Sequence, residues 1–138
     1  MAALMYLSHA IADGGTLNTE ERAENRRKAY KFAGWLRDKF PQIRFFCPAE
    51  MEVFVAKALN DKYLTLEQVL QIDCEIIREC EGLIAYTPKG KTSKGMDIEI
   101  EFANVNNIPV QNLYYADDMK EEALIEIIES FIEECIDG

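Results

Sequence analysis

The side chains best suited to chemistry are concentrated between Thr87 and Ala103. Lys89, Lys91, Ser93, Lys94 and Gly95 follow one another there, and Glu99 comes just behind them. Apolar runs, Gly82–Tyr86 and Ile108–Val110, flank the stretch and read as strands. A loop carrying Lys, Ser and Gly therefore opens a helix from about Met96 to Asn106, with Glu99 at its beginning. Loop amides and a helix N-terminus favour an anion. A carboxylate aimed beside them acts as a nucleophile or a base. The ordinary alternative for Glu99 is a first-turn charge that complements the helix dipole. The three lysines are either a phosphate contact or a solvated loop.

A second carboxylate, Asp73, falls inside another apolar helix. Thr65 caps that helix, and Leu66, Val69, Leu70, Ile72, Ile76 and Ile77 form a wide apolar face. Asp73 is either a solvated helix residue or, as its neighbours Ile72, Ile76 and Ile77 suggest, on the less usual buried side. Two carboxyl groups about 5 Å apart suit covalent, retaining glycosidase chemistry, with one ionised and the other able to hold a proton. His9 ends the first strand and is either a packed, capping histidine or a ligand or general acid near the pocket. Arg22, Asn25 and Arg26 lie on the first helix, as a charged face or as a phosphate contact from Arg22. Tyr6, Phe46 and Met51 either stack on a base or pack in the core, where Phe32 and Trp35 also belong.

The elements that must position these groups alternate. Leu4–Leu7 reads as a strand, and Asp13, Gly14, Gly15 and Thr16 carry turn chemistry. Thr19 caps a helix to about Lys39, with Ala29, Phe32, Ala33 and Leu36 at helical spacing, and Pro41 ends it. Ile43–Cys47 is a strand, and Glu50 to about Leu59 a helix. Ile108–Leu113 is a strand whose Pro109 marks its start or an exposed edge. Asp117 or Asp118 caps a last helix to about Ile136, with seven acidic residues from Glu121 onward facing water. This pattern predicts a single α/β domain over residues 1–138, a flavodoxin-like or Rossmann-like three-layer sandwich with a mainly parallel sheet of 4–5 strands. Ligands on such sheets bind at the carboxyl ends of the strands, where the strand order reverses.

Composition narrows the partners. The chain has 138 residues and is 49% hydrophobic, enough for a sizeable core. Its net charge of −10 argues against nucleic acid polymers and anionic membranes, but a basic loop overrides that charge at short range. There is no apolar run of about 18 residues, so no membrane span is expected. The start of the chain reads as a strand and not as a signal peptide. Cys47, Cys74, Cys80 and Cys135 lack CxxC spacing, and one histidine gives zinc little to bind. Reduced thiols in a cytoplasmic protein with no metal and no cofactor are expected.

The order of these elements, with "S-x-G-M-x-x-E-I-x-x-A…I-P-V" in the third loop, resembles the nucleoside 2-deoxyribosyltransferase superfamily. That superfamily includes deoxynucleoside 5′-monophosphate N-glycosidases and phage and bacterial proteins of unknown role. The matching residues are Ser93, Gly95, Met96, Glu99, Ile100, Ala103, Ile108, Pro109 and Val110, and the resemblance runs from about Tyr6 to Val110. It implies that Glu99 attacks C1′ of the sugar and that Asp73 orients it or carries a proton. It also implies that Ser93 and the Gly95 amide, where the transferases have an Asp in place of Ser93, hold a 5′-phosphate. Ser8, His9, Gly14, Gly15 and Lys94 would complete the substrate and phosphate contacts. Glu101 stands where the family usually has Gly, and Ser8-His9 where it has a Gly-Pro or Ser-Pro pair.

The expected function is hydrolysis, or transfer, at the N-glycosidic bond of a (deoxy)nucleoside 5′-monophosphate. The alternative is a module of the same fold that binds a nucleotide, or a signal derived from one, without cleaving it. The resemblance also implies a homodimer or larger homo-oligomer, with the apolar helix near Met51–Leu59 as a contact.

Overall fold

The computed structural model describes residues 3–10 and 19–137. Four parallel strands, β1 (Leu4–His9), β2 (Arg44–Phe46), β3 (Gly82–Thr87) and β4 (Val110–Tyr114), form one sheet in the order β2-β1-β3-β4. Five helices accompany them among the described residues: α1 (Thr19–Lys39), α2 (Glu52–Asn60), α3 (Leu66–Arg78), α4 (Lys94–Val105) and α5 (Glu121–Asp137). This is the expected α/β class, and the strand order is consistent with a flavodoxin-like fold.

The apolar pattern explains the layers. All six residues of β3 are buried, as a central parallel strand covered on both faces requires. Met5 and Leu7 of β1 pack with Ala29, Phe32, Ala33 and Leu36 of α1 and with Leu124, Ile128, Phe131 and Ile132 of α5. The other face is smaller: Tyr6, Leu83 and Ala85 meet Ile77 of α3 and Met96 and Ala103 of α4. Alternation along β1 thus sends Met5, Leu7 and His9 to the α1 face and Tyr6 and Ser8 to the α4 face. The strand order reverses between β1 and β3, so their carboxyl ends flank the crevice where ligands of such sheets bind.

Several boundaries differ from the sequence reading. α4 starts at Lys94 and not near Met96, because the Ser93 side chain accepts the Met96 N–H and makes Ser93 the N-cap. Glu99 therefore sits in the second turn, and Asp97 is the first-turn acid. Residues Pro48–Met51 form a 3-10 turn before α2. Asp117 and Asp118 lie in another, Ala116–Asp118, and do not cap α5. The Asp117 carboxylate instead takes the Tyr86 hydroxyl at 2.9 Å and the Lys28 ammonium at 3.2 Å. On α3, Leu66 and Ile72 are exposed, so only part of the expected apolar face is covered. The Asp13–Thr16 turn and the Thr19 side-chain cap lie outside the described residues. The seven acids of α5 face water, and Pro109 precedes β4 at the sheet edge, as expected.

Thr65 begins α3 with a full capping box, its hydroxyl accepting from the Gln68 N–H while the Gln68 side chain accepts from the Thr65 N–H. Thr65→Ala is expected to lower the unfolding free energy by about 1 kcal/mol. Urea unfolding checks this, with an unchanged slope marking a pure stability effect.

Candidate active site

Glu99 points inward from α4 and is only 5% exposed. The Tyr6 hydroxyl donates to Oε2 at 2.5 Å, and the Ser8 hydroxyl donates to Oε1 at 2.7 Å. Both donors come from successive inward positions of β1 on the α4 face. Hydrogen bonds to a charged group contribute about 1.5–3 kcal/mol each and here replace lost hydration. The first-turn alternative for Glu99 therefore fails: a dipole-complementing charge sits in water, whereas this one is enclosed and bonded on both oxygens.

Burial nevertheless dominates its acidity. The Glu99 carboxyl is pushed up to about 7 by desolvation, against the pull of the two hydroxyl donors, and the nearby Asp73 charge pushes it further. Asp73, half-buried on α3, is itself raised to about 6 by burial. Tyr6 is held far above its ordinary value by burial, then by the charges of Glu99 and Asp73, so it stays a donor. Cys74 lies close enough for both carboxylates to raise its thiol, though burial is the larger cause. The structure thus brings Glu99, Asp73, Tyr6 and Ser8 into one electrostatic cluster.

The remaining expected residues are distributed differently. Ser8 reads from sequence as a substrate contact, but its hydroxyl is bonded to Glu99. His9 faces the opposite side of the sheet. Its Nε2 accepts the Ala49 N–H at 3.1 Å, which leaves Nδ1–H to donate to the Ala10 carbonyl at 3.2 Å. Burial lowers its pKa to about 4, so it is a neutral clamp between the end of β1 and the 3-10 turn. Ser93 is buried as the cap of α4, and Lys94 and Gly95 form the first two helical positions behind it. Gly14 and Gly15 lie outside the described residues. Glu101, on α4 two residues past Glu99, is exposed and does not crowd the carboxylate.

Tyr6 packs in the core, one of the two readings its position allows, but the sequence reading gives its hydroxyl no role. Its ring does stack on Phe46 at 5.5 Å between centroids, but the hydroxyl is what matters. A tyrosine in the middle of a buried strand needs a partner for its O–H, and that was the available signal. The cysteines are all free, with Cys47 and Cys80 buried. Among the described residues no cluster of His, Cys, Asp or Glu is arranged to hold a metal ion. No described helix is long and apolar enough to cross a membrane. Comparison with family models, curated proteins and solved structures finds no match to this chain.

The cluster makes stability depend on pH. Glu99 has a folded value near 7 against 4.5 unfolded, and Asp73 one near 6 against 3.8, so the folded state holds protons the unfolded chain has released. Their contribution is complete below the unfolded values and is lost as pH rises through about 6 and 7. His9 works oppositely, its contribution being lost as pH falls from 6.5 through about 4. Glu99→Gln removes the first term. Relative to the parent protein it is expected to gain on the order of 2 kcal/mol between pH 5 and pH 8, read from unfolding curves at the two pH values.

Proposed function

We propose that the protein cleaves the N-glycosidic bond of a (deoxy)nucleoside 5′-monophosphate, or transfers its sugar to another base, with Glu99 as nucleophile. The observation that carries this reading is the enclosed Glu99 carboxylate, fixed by Tyr6 from the middle of β1 and by Ser8 from near its carboxyl end. The motif around it, which resembles that of the nucleoside 2-deoxyribosyltransferases, points the same way.

The geometry supports the following chemistry. Loss of the base leaves an oxocarbenium-like sugar, and an anion next to C1′ stabilises that developing positive charge. One Glu99 oxygen forms the bond to C1′ as the C1′–N bond breaks. Tyr6 and Ser8 hold the carboxylate in one orientation, which lowers the reorganisation needed for attack. Asp73, raised by burial into the range where a carboxyl exchanges protons near neutrality, protonates the departing base. Water then attacks C1′ as the bond from C1′ to the Glu99 oxygen breaks and returns the carboxylate, with the water proton passing to Asp73, or a second base takes the sugar by the same displacement. The amino end of α4, with Ser93, Lys94 and Gly95, receives the 5′-phosphate.

Incubation with a panel of nucleotides is expected to release free base, with a bell-shaped pH profile that peaks between about 6 and about 7, because Glu99 must be ionised while Asp73 still holds its proton. Glu99→Gln is expected to lower the rate by roughly three orders of magnitude or more. A folded protein that binds a nucleotide in calorimetry and returns it intact belongs instead to the non-cleaving alternative. A Glu99→Gln variant with full turnover removes Glu99 from the mechanism.

We also propose self-association through α2 and the turn after it. Val53 and Phe54 of α2 are 84% and 66% exposed, and Tyr63 and Leu66, which follow it in sequence, are 77% and 63% exposed, large apolar groups that a second copy would cover. Sedimentation is expected to show a dimer or larger species, and Phe54→Asp to shift it toward monomer.

A further inference from the structure

A second feature of the carboxyl edge lies on the opposite face of the sheet from Glu99. His9 and Tyr86, at the ends of β1 and β3, form the base of a small cleft walled by Asn25 and Lys28 of α1 and by Lys89 and Lys91 of the β3–α4 loop. The three ammonium groups stand out on a chain of net charge −10. Lys28 is held by Asp117 at 3.2 Å. Among the described residues neither Lys89 nor Lys91 has a carboxylate within 4.0 Å. Glu24 is near enough to sense Lys28 and Lys89, but its carboxylate is taken by Arg27 at 2.7 and 3.1 Å. His9 at the base is neutral, so among the described residues the excess charge of the cleft is positive and sits at its rim.

The loop that carries these lysines has a fixed shape. The Thr87 carbonyl accepts both the Gly90 N–H at 3.0 Å and the Tyr115 N–H at 2.8 Å. Gly90 has φ +75°, and the Tyr115 ring lies so close to it that a side chain there has no space. Lys89 and Lys91 are thereby set on either side of a pinned glycine. Two residues further on, the same loop ends in Ser93, the cap of α4 on the Glu99 face. One short segment therefore spans the end of the sheet from the lysine cleft to the proposed 5′-phosphate position.

A phosphate chain needs this arrangement more than a single phosphate does. The amino end of α4 offers amides and a hydroxyl whose oxygen already accepts the Met96 N–H. That suits one phosphoryl group but neutralises little of a polyphosphate beside two carboxylates. Lys89 and Lys91, which line the cleft across the edge, supply the missing charge.

We propose that the Lys28–Lys89–Lys91 cleft is an anion subsite for the distal phosphoryl group of a nucleotide, so that a nucleoside diphosphate binds in preference to a monophosphate. The preference rests on the reading of Glu99 as the sugar site; the anion subsite itself does not. Calorimetric titration with inorganic pyrophosphate at constant ionic strength tests the subsite without any turnover. Saturable binding is expected in the parent protein and in Glu99→Gln alike. The double variant Lys89→Ala/Lys91→Ala is expected to weaken it by about tenfold or more, with its unfolding curve unchanged because the lysines are exposed. Lys89→Arg/Lys91→Arg is expected to retain binding.

No saturable pyrophosphate binding, or equal affinity in the alanine double variant, overturns the subsite. A second titration compares a nucleoside diphosphate with its monophosphate on Glu99→Gln. Tighter diphosphate binding that disappears in the lysine double variant supports the distal assignment, and equal binding of the two nucleotides overturns it. If pyrophosphate binds as expected but no nucleotide loses its base, the glycosidase reading fails while the subsite stands.

Discussion

A carboxylate taken out of water must be compensated or it will keep its proton. Glu99 lies between these outcomes: burial raises it to about 7, while Tyr6 and Ser8 donate to both of its oxygens. Near neutrality the group is therefore divided between its two forms. Much of the surrounding structure can be understood as the support for that balance. β1 must present two hydroxyls at successive inward positions, α4 must approach the sheet closely enough to be reached by them, and α3 must bring a second carboxyl within electrostatic range.

The two faces of the sheet divide the work. On the α1 side, Met5, Leu7, Phe32, Leu36, Ile128 and Phe131 give an uninterrupted apolar core, and Phe32 stacks flat on Tyr86 with centroids 4.3 Å apart. On the α4 side the apolar cluster is smaller, and Ser8 and Glu99 are enclosed beside it. Burying polar groups costs free energy even when they are paired. The larger core offsets that cost from across a sheet only one strand thick, because β1 and β3 contribute side chains to both faces.

The sequence made some of this legible and some not. Helix α1 is readable to its carboxyl end because Ala29, Phe32, Ala33 and Leu36 keep helical spacing and Pro41 follows Lys39 and Phe40. The alternation of strands and helices was enough for the fold class. Strand order was not readable, since nothing local distinguishes β2 from β4 as the neighbour of β1. Ser93 reads as a ligand contact when only its loop is considered, yet its side chain closes the first turn of α4. Asp117 reads as a helix cap, but its oxygens go to Tyr86 and Lys28, which arrive from β3 and α1. Glu99 was found through its motif. Its donors, Tyr6 and Ser8, lie more than ninety residues away in sequence and share a face with it only once β1 alternates against α4.

Gly90 and Tyr115 limit how this chain can vary. The glycine has a backbone conformation that side chains rarely adopt, and the ring lying on it is carried by a residue at φ +56° that is itself left-handed. At 90 the φ of +75° strains any side chain whether or not the Tyr115 ring moves aside, so the glycine is held by its own backbone as well as by its neighbour. The ring, more than half exposed, has only its own packing to keep it, and so this corner can exchange position 115 more readily than position 90.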